Sequence, residues 1–136
     1  MNTTTDTARD YCQLIGRELD ALELVLTTGL DIEDDQTAGE YAEAINELGA
    51  DIEQDPYDIV GQWLNETILE LKILRTDNRN STRIEMLRTC GGPRCDITRD
   101  SDDGLIVAIT TYSGTDQATT RNSYPELANY LDELAQ

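Results

Sequence analysis

The chain has 136 residues and a net charge of −18, from 28 acidic and 10 basic groups, with no His and one Lys. This length suits one domain with a core of moderate size, and no apolar run reaches the roughly 20 residues of a membrane span. Because the chain has no His and one Lys, and nothing singles out one pair among its 28 carboxylates, we expect no enzymatic activity, with a carboxylate or Cys enzyme as the alternative. We also expect no cofactor.

The first helix is predicted at about residues 7–27, where Leu, Ile and Tyr recur at three- and four-residue steps. Such an apolar stripe is typical of a helix that packs on a core. Glu18, Asp20 and Glu23 lie off the main stripe, so we expect these three side chains to face water.

The second helix is predicted to begin at Thr37, because Thr37 and Glu40 match a capping box, and to end at Gly49. Glu40, Glu43 and Glu47 then line one outward face over about 10 Å. Like charges at these spacings weaken a helix, and no basic residue nearby offsets them. We therefore interpret this row of carboxylates as a cation-binding surface.

The third helix is predicted to begin with Asp55 as its cap and Pro56 at its first position. It carries Trp63, the single Trp of the chain, for which we favour packing in the core over a binding role. Residues 1–66 are thus expected to form the helical, acidic part of the domain.

Residues 67–136 are expected to form a four-stranded antiparallel sheet, arranged as a meander, and a C-terminal helix. Period-two alternation and apolar runs predict strands at residues 67–75, 83–89, 95–99 and 105–112. Residues 113–122 are interpreted as an irregular link, and Ser123 is the expected cap of the last helix. The chain is therefore predicted to be a single α+β domain over residues 1–136, with helices on one face of the sheet.

Nearly all of the net charge belongs to one segment. Residues 18–71 contain 16 of the 28 acidic residues and no basic one, whereas residues 72–136 contain 10 acidic and 8 basic residues. A charge this concentrated destabilises a fold by self-repulsion, and it attracts cationic partners within a screening length of about 8–10 Å. The segment therefore predicts a surface that imitates the phosphate backbone of a nucleic acid.

The residues expected to bind such a partner are carboxylates between positions 31 and 58. They are Asp31, Glu33, Asp34, Asp35, Glu40, Glu43, Glu47, Asp51, Glu53, Asp55 and Asp58. Carboxylates take the place of phosphates against Lys and Arg, so the expected partner is a basic nucleic-acid-binding protein or complex. A net charge of −18 would repel nucleic acid itself, and we expect no direct binding to it and none to membranes.

Cys90 and Cys95 flank a Gly-Gly-Pro turn, for which we weigh a metal site and a catalytic thiol. A zinc site would have two ligands, or three with Cys12, and no His. A nucleophilic Cys would need a His partner, although Arg88 and Arg94 could lower a thiol pKa. For the cysteines we favour a structural hairpin. The acidic loop before the second helix lacks the spacing of an EF-hand, so we predict no metal site there either.

An acidic, lysine-poor composition is also typical of halophilic proteins, in which surface carboxylates hold water and cations. Residues 72–99 nevertheless carry seven basic and three acidic groups, an unevenness that salt adaptation alone does not explain. Most Arg residues of this region are expected to pair with carboxylates of the acidic half or to protect the sheet edges. A small halophile protein is therefore kept as an alternative.

The sequence from Ile84 to Pro93 (IEMLRTCGGP), followed by RCDI, resembles the E-x-L-x-x-x-G-G-P hairpin of small acidic proteins encoded by phages and mobile elements. Residues 122–127 (NSYPEL) are similar to the start of their final helix. The resemblance covers roughly residues 83–134 and leaves the acidic helices outside it. It implies a mobile-element origin, and proteins of that origin include anti-CRISPR and antirestriction proteins, several of which mimic DNA.

The charge and the resemblance together predict an inhibitor that blocks the access of DNA to a CRISPR–Cas or restriction complex. An immunity protein or antitoxin against a nuclease is an alternative of the same class. Residues 1–11 lack a signal sequence, and three cysteines suit a reducing compartment. We therefore expect a cytoplasmic protein, in the cytoplasm of the host cell if a phage encodes it.

Overall fold

The computed structural model describes residues 7–28, 34–75, 82–89, 94–112 and 116–135. In these ranges the helices are Thr7–Thr28 (α1), Asp35–Leu48 (α2), Pro56–Thr67 (α3) and Pro125–Leu134 (α4). The strands are Glu70–Arg75 (β1), Thr82–Thr89 (β2), Arg94–Asp100 (β3), Leu105–Tyr112 (β4) and Asp116–Asn122 (β5). They form one antiparallel sheet in the order β1-β2-β3-β4-β5, so the α+β class and the meander are confirmed. None of the helices in the described ranges combines the length and the apolar character that a membrane crossing requires.

The prediction of four strands was wrong, because β5 occupies most of the segment interpreted as an irregular link. β5 pairs with β4 along its whole length. Its inner face carries the small residues Ala118 and Thr120, beneath α1, and a Cβ on Gly16 would lie 3.9 Å from Thr120 Oγ1. Small polar side chains suffice where a helix approaches this closely, so the strand lacks the apolar alternation that sequence patterns detect.

The ends of α2 and α3 are determined by local caps. Asp34, not Thr37, caps α2, and its Oδ1 accepts a hydrogen bond from the Thr37 backbone N–H at 2.7 Å. Gly49 ends α2 with a φ of 66°, which confirms the predicted end. Asp55 caps α3 as predicted, accepting a hydrogen bond from the Tyr57 N–H at 2.9 Å.

The start of α4 differs from its prediction. Ser123 is not the cap; Tyr124 takes that position with a φ of 40° and makes no side-chain capping bond. The carboxylate of Glu23 in α1 instead accepts hydrogen bonds from the N–H groups of Glu126 and Leu127, at 3.1 and 2.9 Å. A carboxylate from another helix thus satisfies the first N–H groups of α4 and the positive end of its dipole.

α1 is the central helix of the fold, since it packs against the other three helices and against β4 and β5. The main core lies between the helices and the sheet and includes Ile15 and Ile97. A smaller core joins α1, α2 and α3 through Val25 and Ile59. Trp63 is 6% exposed and belongs to the main core, as predicted.

β1 lies outside the cover of the helices. The alternation in this segment correctly predicts a strand, but all six of its residues are exposed. Leu71 and Ile73 lie opposite Met86 and Ile84 of β2, so they face the helix side of the sheet, and each is 38% exposed. The helices bury the inner face of β2 and leave the same face of β1 open.

Candidate functional site

The carboxylates predicted to bind a partner are all at the surface where the structure describes them. Asp31 and Glu33 lie outside the described residues. The exposed residues are Asp34, Asp35, Glu40, Glu43, Glu47, Asp51, Glu53, Asp55 and Asp58. Exposure alone does not make a binding surface, so their positions relative to one another decide which of them act together.

Glu40, Glu43 and Glu47 line one groove between α2 and α1. Asp20 and Arg17 of α1 also line this groove, which has a volume of about 260 Å³. We name this groove, with its four carboxylates Asp20, Glu40, Glu43 and Glu47, the acidic groove. Because a helix rises 1.5 Å per residue, the row from Glu40 to Glu47 extends about 10 Å along α2.

A second groove continues from the first, since Asp20, Leu24 and Glu40 line both. It lies between the C-terminal half of α1 and the start of α4, has a volume of about 440 Å³, and adds Glu23. Carboxylates of α1 and α2 therefore form one continuous acidic surface on this side of the molecule.

The acidic groove contains little positive charge. Arg17 Nε lies 3.8 Å from Glu47 Oε1, and the two side chains are 58% and 35% exposed. The attraction between two solvent-exposed charges at this distance is weak, so this pair contributes little to stability. Within the described ranges, the side chains of Glu40 and Glu43 make neither an ion pair nor a hydrogen bond. Two unpaired carboxylates and one weakly paired carboxylate thus remain available to an external cation.

Several of the other predicted residues have local structural roles. Asp34 and Asp55 cap helices, and hydrogen bonds from Thr37 hold the pKa of Asp34 below its usual value. Asp51 accepts a hydrogen bond from the Glu53 N–H at 3.0 Å, in the turn between α2 and α3. These carboxylates stabilise the fold, whatever charge they also present to solvent.

The remaining predicted residues do not join the acidic groove. At 100° per residue, Asp35 lies about 140° around α2 from Glu40. Asp51 lines a separate groove at the C-terminal end of α2. Asp58 lies near Tyr130 of α4, whose pKa is raised by burial and then by this negative charge. The predicted set is therefore divided, and the structure brings together only the α2 row and its neighbours on α1.

Glu18 was expected to face water, which is wrong, because it is 8% exposed and anchors a buried network. Its Oε2 lies 2.7 Å from Arg88 Nη2, and its Oε1 accepts hydrogen bonds from Arg88 Nε and Trp63 Nε1, each at 3.1 Å. Arg88 also donates to the Tyr11 hydroxyl and lies 5.4 Å from the centre of that ring. Apolar periodicity cannot reveal such a partner, since 70 positions separate the two charged residues.

Asp20 and Glu23 were also expected only to face water. Asp20 is exposed, as predicted, but its Oδ1 also accepts a hydrogen bond from the Tyr124 hydroxyl at 2.8 Å. Burial and this hydrogen bond raise the pKa of Tyr124. Glu23 is half-buried and caps α4. Both carboxylates therefore position α4 while they add negative charge to the acidic surface.

Three arginines of the sheet have carboxylate partners on their own strand or on α4. Arg83 and Arg94 pair at 2.9 Å with Glu85 and Asp96 of their own strands, and Arg99 pairs with α4 at 2.9 Å. For Arg83 and Arg99, the predicted pairing with the acidic half was wrong; the arginine of the buried network does pair with it. Much of the positive charge is thus neutralised locally and does not offset the acidic groove.

Cys12 and Cys95 are buried, and Cys90 lies outside the described residues. Burial raises the pKa of Cys12, and it raises that of Cys95 to about 11 despite the nearby charge of Arg88. The thiolate form that attacks substrates or binds metals is therefore scarce at neutral pH. In the described part of the chain, no group of three or more His, Cys, Asp or Glu residues is placed to hold a metal ion.

We expect iodoacetamide at pH 8 to alkylate Cys95 at least about 100-fold more slowly in the folded protein than in the unfolded chain. Burial suppresses both the thiolate and the access of the reagent. Peptide mapping after timed alkylation, with and without urea, measures each cysteine separately. A native rate within tenfold of the unfolded rate would mean that this thiol is open to solvent and reactive, as a catalytic thiol must be.

No protein-family model matches the chain, and comparison with curated proteins and with solved structures gives no significant match. The resemblance of residues 83–134 to small phage-encoded acidic proteins has no support from these comparisons. Function is therefore inferred from the charge and geometry of this molecule.

Proposed function

We propose that this protein is an acidic inhibitor that occupies the nucleic-acid groove of a host defence complex, such as a CRISPR–Cas effector or a restriction enzyme. The observation that carries the proposal is the row of Glu40, Glu43 and Glu47, exposed along one groove. Arg17 is the basic residue that lines this groove, and its contact with the row is long and solvent-exposed.

The spacing of this row is of the same order as that of a DNA backbone. The helical rise places Glu43 about 4.5 Å from Glu40 along the axis, and Glu47 about 6 Å further on. Phosphates of one DNA strand follow one another about every 3.4 Å along the duplex axis. Carboxylate oxygens accept charge-assisted hydrogen bonds from Lys and Arg, as phosphate oxygens do. A protein groove built for DNA therefore presents cations at spacings that this row can meet.

The row also stands on a rigid element. Tyr41 and Ile45, on the opposite side of α2, are 3% and 4% exposed and pack in the smaller core. Asp34 and Gly49 cap the two ends of the helix. The carboxylate spacing is consequently set before any partner binds, which lowers the entropy lost on association.

Capture from host lysate, followed by displacement with DNA, tests the proposal. Tagged protein is exposed to lysate at about 0.1 M salt and then washed with duplex DNA at constant ionic strength. We expect DNA to release a CRISPR–Cas subunit or a nuclease, because both ligands compete for one groove, and a neutral polymer to release little. A folded protein that retains nothing, or a partner that DNA does not displace, would contradict the proposal. Release of a nuclease encoded beside this protein would favour the immunity-protein alternative.

The halophile alternative is favoured by exposed carboxylates outside the acidic groove, such as Asp102, Asp103 and Glu133. The halophile alternative and the inhibitor proposal predict opposite responses to salt. A halophilic fold loses structure as KCl is lowered, whereas binding to a basic groove weakens as KCl rises. Circular dichroism at the salt used for capture is therefore the necessary control, and we expect the helical signal to persist there.

A further inference from the structure

We propose that the protein forms a homodimer in which the free edge of β1 pairs antiparallel with β1 of a second copy. The first observation is the exposure of large apolar side chains at this edge. Leu69 is 61% exposed, Leu74 is 48% exposed, and Leu71 and Ile73 are each 38% exposed. The N–H and C=O groups of an unpaired edge are a template on which another strand can form.

The opposite edge of the sheet is built differently. β5 carries no large apolar residue; its sequence is Asp-Gln-Ala-Thr-Thr-Arg-Asn. α1 packs against it, and the Ala8 N–H donates a hydrogen bond to the Asp116 carboxylate at 3.2 Å. Natural sheets protect an edge with polar residues or with a covering element, and β5 has both. β1 has apolar residues on both faces, and no helix of the described ranges covers it, which indicates a surface that another strand covers.

Charge favours a second copy of this chain as the occupant. Two molecules that each carry a net charge of −18 repel one another, so they associate most readily through the surface with the least negative charge. β1 contains Lys72 and Arg75 against Glu70, a local charge of +1, whereas α2 contains four acidic residues and no basic one. Pairing through β1 therefore brings two copies together with less repulsion than contact through the acidic helices.

Two-fold symmetry restricts how β1 pairs with itself. Residues opposite each other in an antiparallel pair share one face of the sheet. The two-fold axis must therefore lie at a residue position of β1 and not midway between two residues. An axis at Ile73 places the two Ile73 residues opposite each other and Lys72 opposite the second copy's Leu74. An axis at Lys72 would instead place two lysines face to face, which is unfavourable. In the first register, Leu71 lies opposite Arg75 of the second copy and diagonally across from its Ile73, so the Leu71 and Ile73 residues of both copies are neighbours on one face. The two sheets then continue as one sheet of ten strands.

Light scattering coupled to size-exclusion chromatography measures the dimer directly. We expect twice the monomer mass of 15.2 kDa at high concentration and dissociation on dilution. The dimer fraction should rise with salt, because screening weakens the repulsion between the copies. Binding through the acidic groove should weaken with salt, so the two proposals can fail independently.

Lysine substitutions at the two edges locate the interface. Ile73→Lys and Leu74→Lys each change an exposed residue, one on either face of β1, and should give monomers where the wild type is dimeric. Thr119→Lys is the matched control on β5 and should leave the dimer intact. Hydrogen exchange should show protection of residues 70–75 that increases with protein concentration, with no such change at residues 116–122. A monomer mass at every concentration, or a dimer that persists in both β1 variants, would overturn the proposal.

Discussion

Replacing Glu18 by alanine should destabilise the protein by about 3–5 kcal/mol. The substitution leaves the Arg88 guanidinium, on a side chain that is 15% exposed, without its counter-charge. It also leaves the Trp63 indole N–H without its acceptor. An unpaired buried charge costs far more than the loss of a surface ion pair, because water cannot solvate it. Urea unfolding followed by circular dichroism measures the difference in the free energy of unfolding.

Matched variants separate the buried charge from packing. Glu18→Leu combined with Arg88→Met removes both charges, and it should be less destabilising than Glu18→Ala alone, since no charge remains buried. Glu43→Ala removes an exposed carboxylate of the acidic groove and should change the urea midpoint little. If Glu18→Ala and Glu43→Ala unfolded at the same urea concentration, the buried network would have no energetic importance.

Lysine at positions Glu40, Glu43 and Glu47 together should abolish binding to the DNA-displaceable partner, with a loss of affinity of at least about 100-fold. The triple variant reverses the charge of the row while its side chains stay exposed. Stability should change little, because a lysine row has the same like-charge spacing along α2 as the glutamate row. Titration of the variant against the DNA-binding activity of the captured complex measures the loss of inhibition.

The control for this triple variant changes net charge by the same amount at other sites. Asp10, Asp102 and Glu133 are exposed, and none of them lines the acidic groove. Their joint replacement by lysine should leave most of the inhibition intact. Equal losses in both triple variants would mean that overall charge, not the α2 row, sets the affinity. Unchanged potency of the α2 variant would remove this helix from the interface.

Local sequence signals were sufficient for several elements that one turn or one periodic face stabilises, although the cap of α2 was placed at Thr37 and is Asp34. Asp55 and Gly49 mark their helix ends correctly, because the caps act within a single turn. The apolar stripe predicts α1 to within one residue of its observed end at Thr28, since one face of the helix packs on the core. The helical period likewise places Glu40 and Glu47 on the groove side of α2 before any tertiary contact is known.

The start of α4 and the fifth strand have no comparable local signal. The carboxylate that caps α4 lies more than 100 positions earlier in the chain. β5 is a polar edge strand, and its position depends on pairing with β4 and on cover by α1. Both features exist only when distant elements meet, so no window of the sequence contains them.

By itself, the sequence determined the α+β class, most of the element positions and the concentration of negative charge in residues 18–71. Only the tertiary structure decided which of those charges are available to a partner. Glu18 is buried against Arg88 and Glu23 holds the start of α4, whereas the Glu40 and Glu43 side chains have no partner among the described residues. The physical reason is that a carboxylate becomes structural when folding brings a donor to it, and these donors lie 45 to 104 positions away.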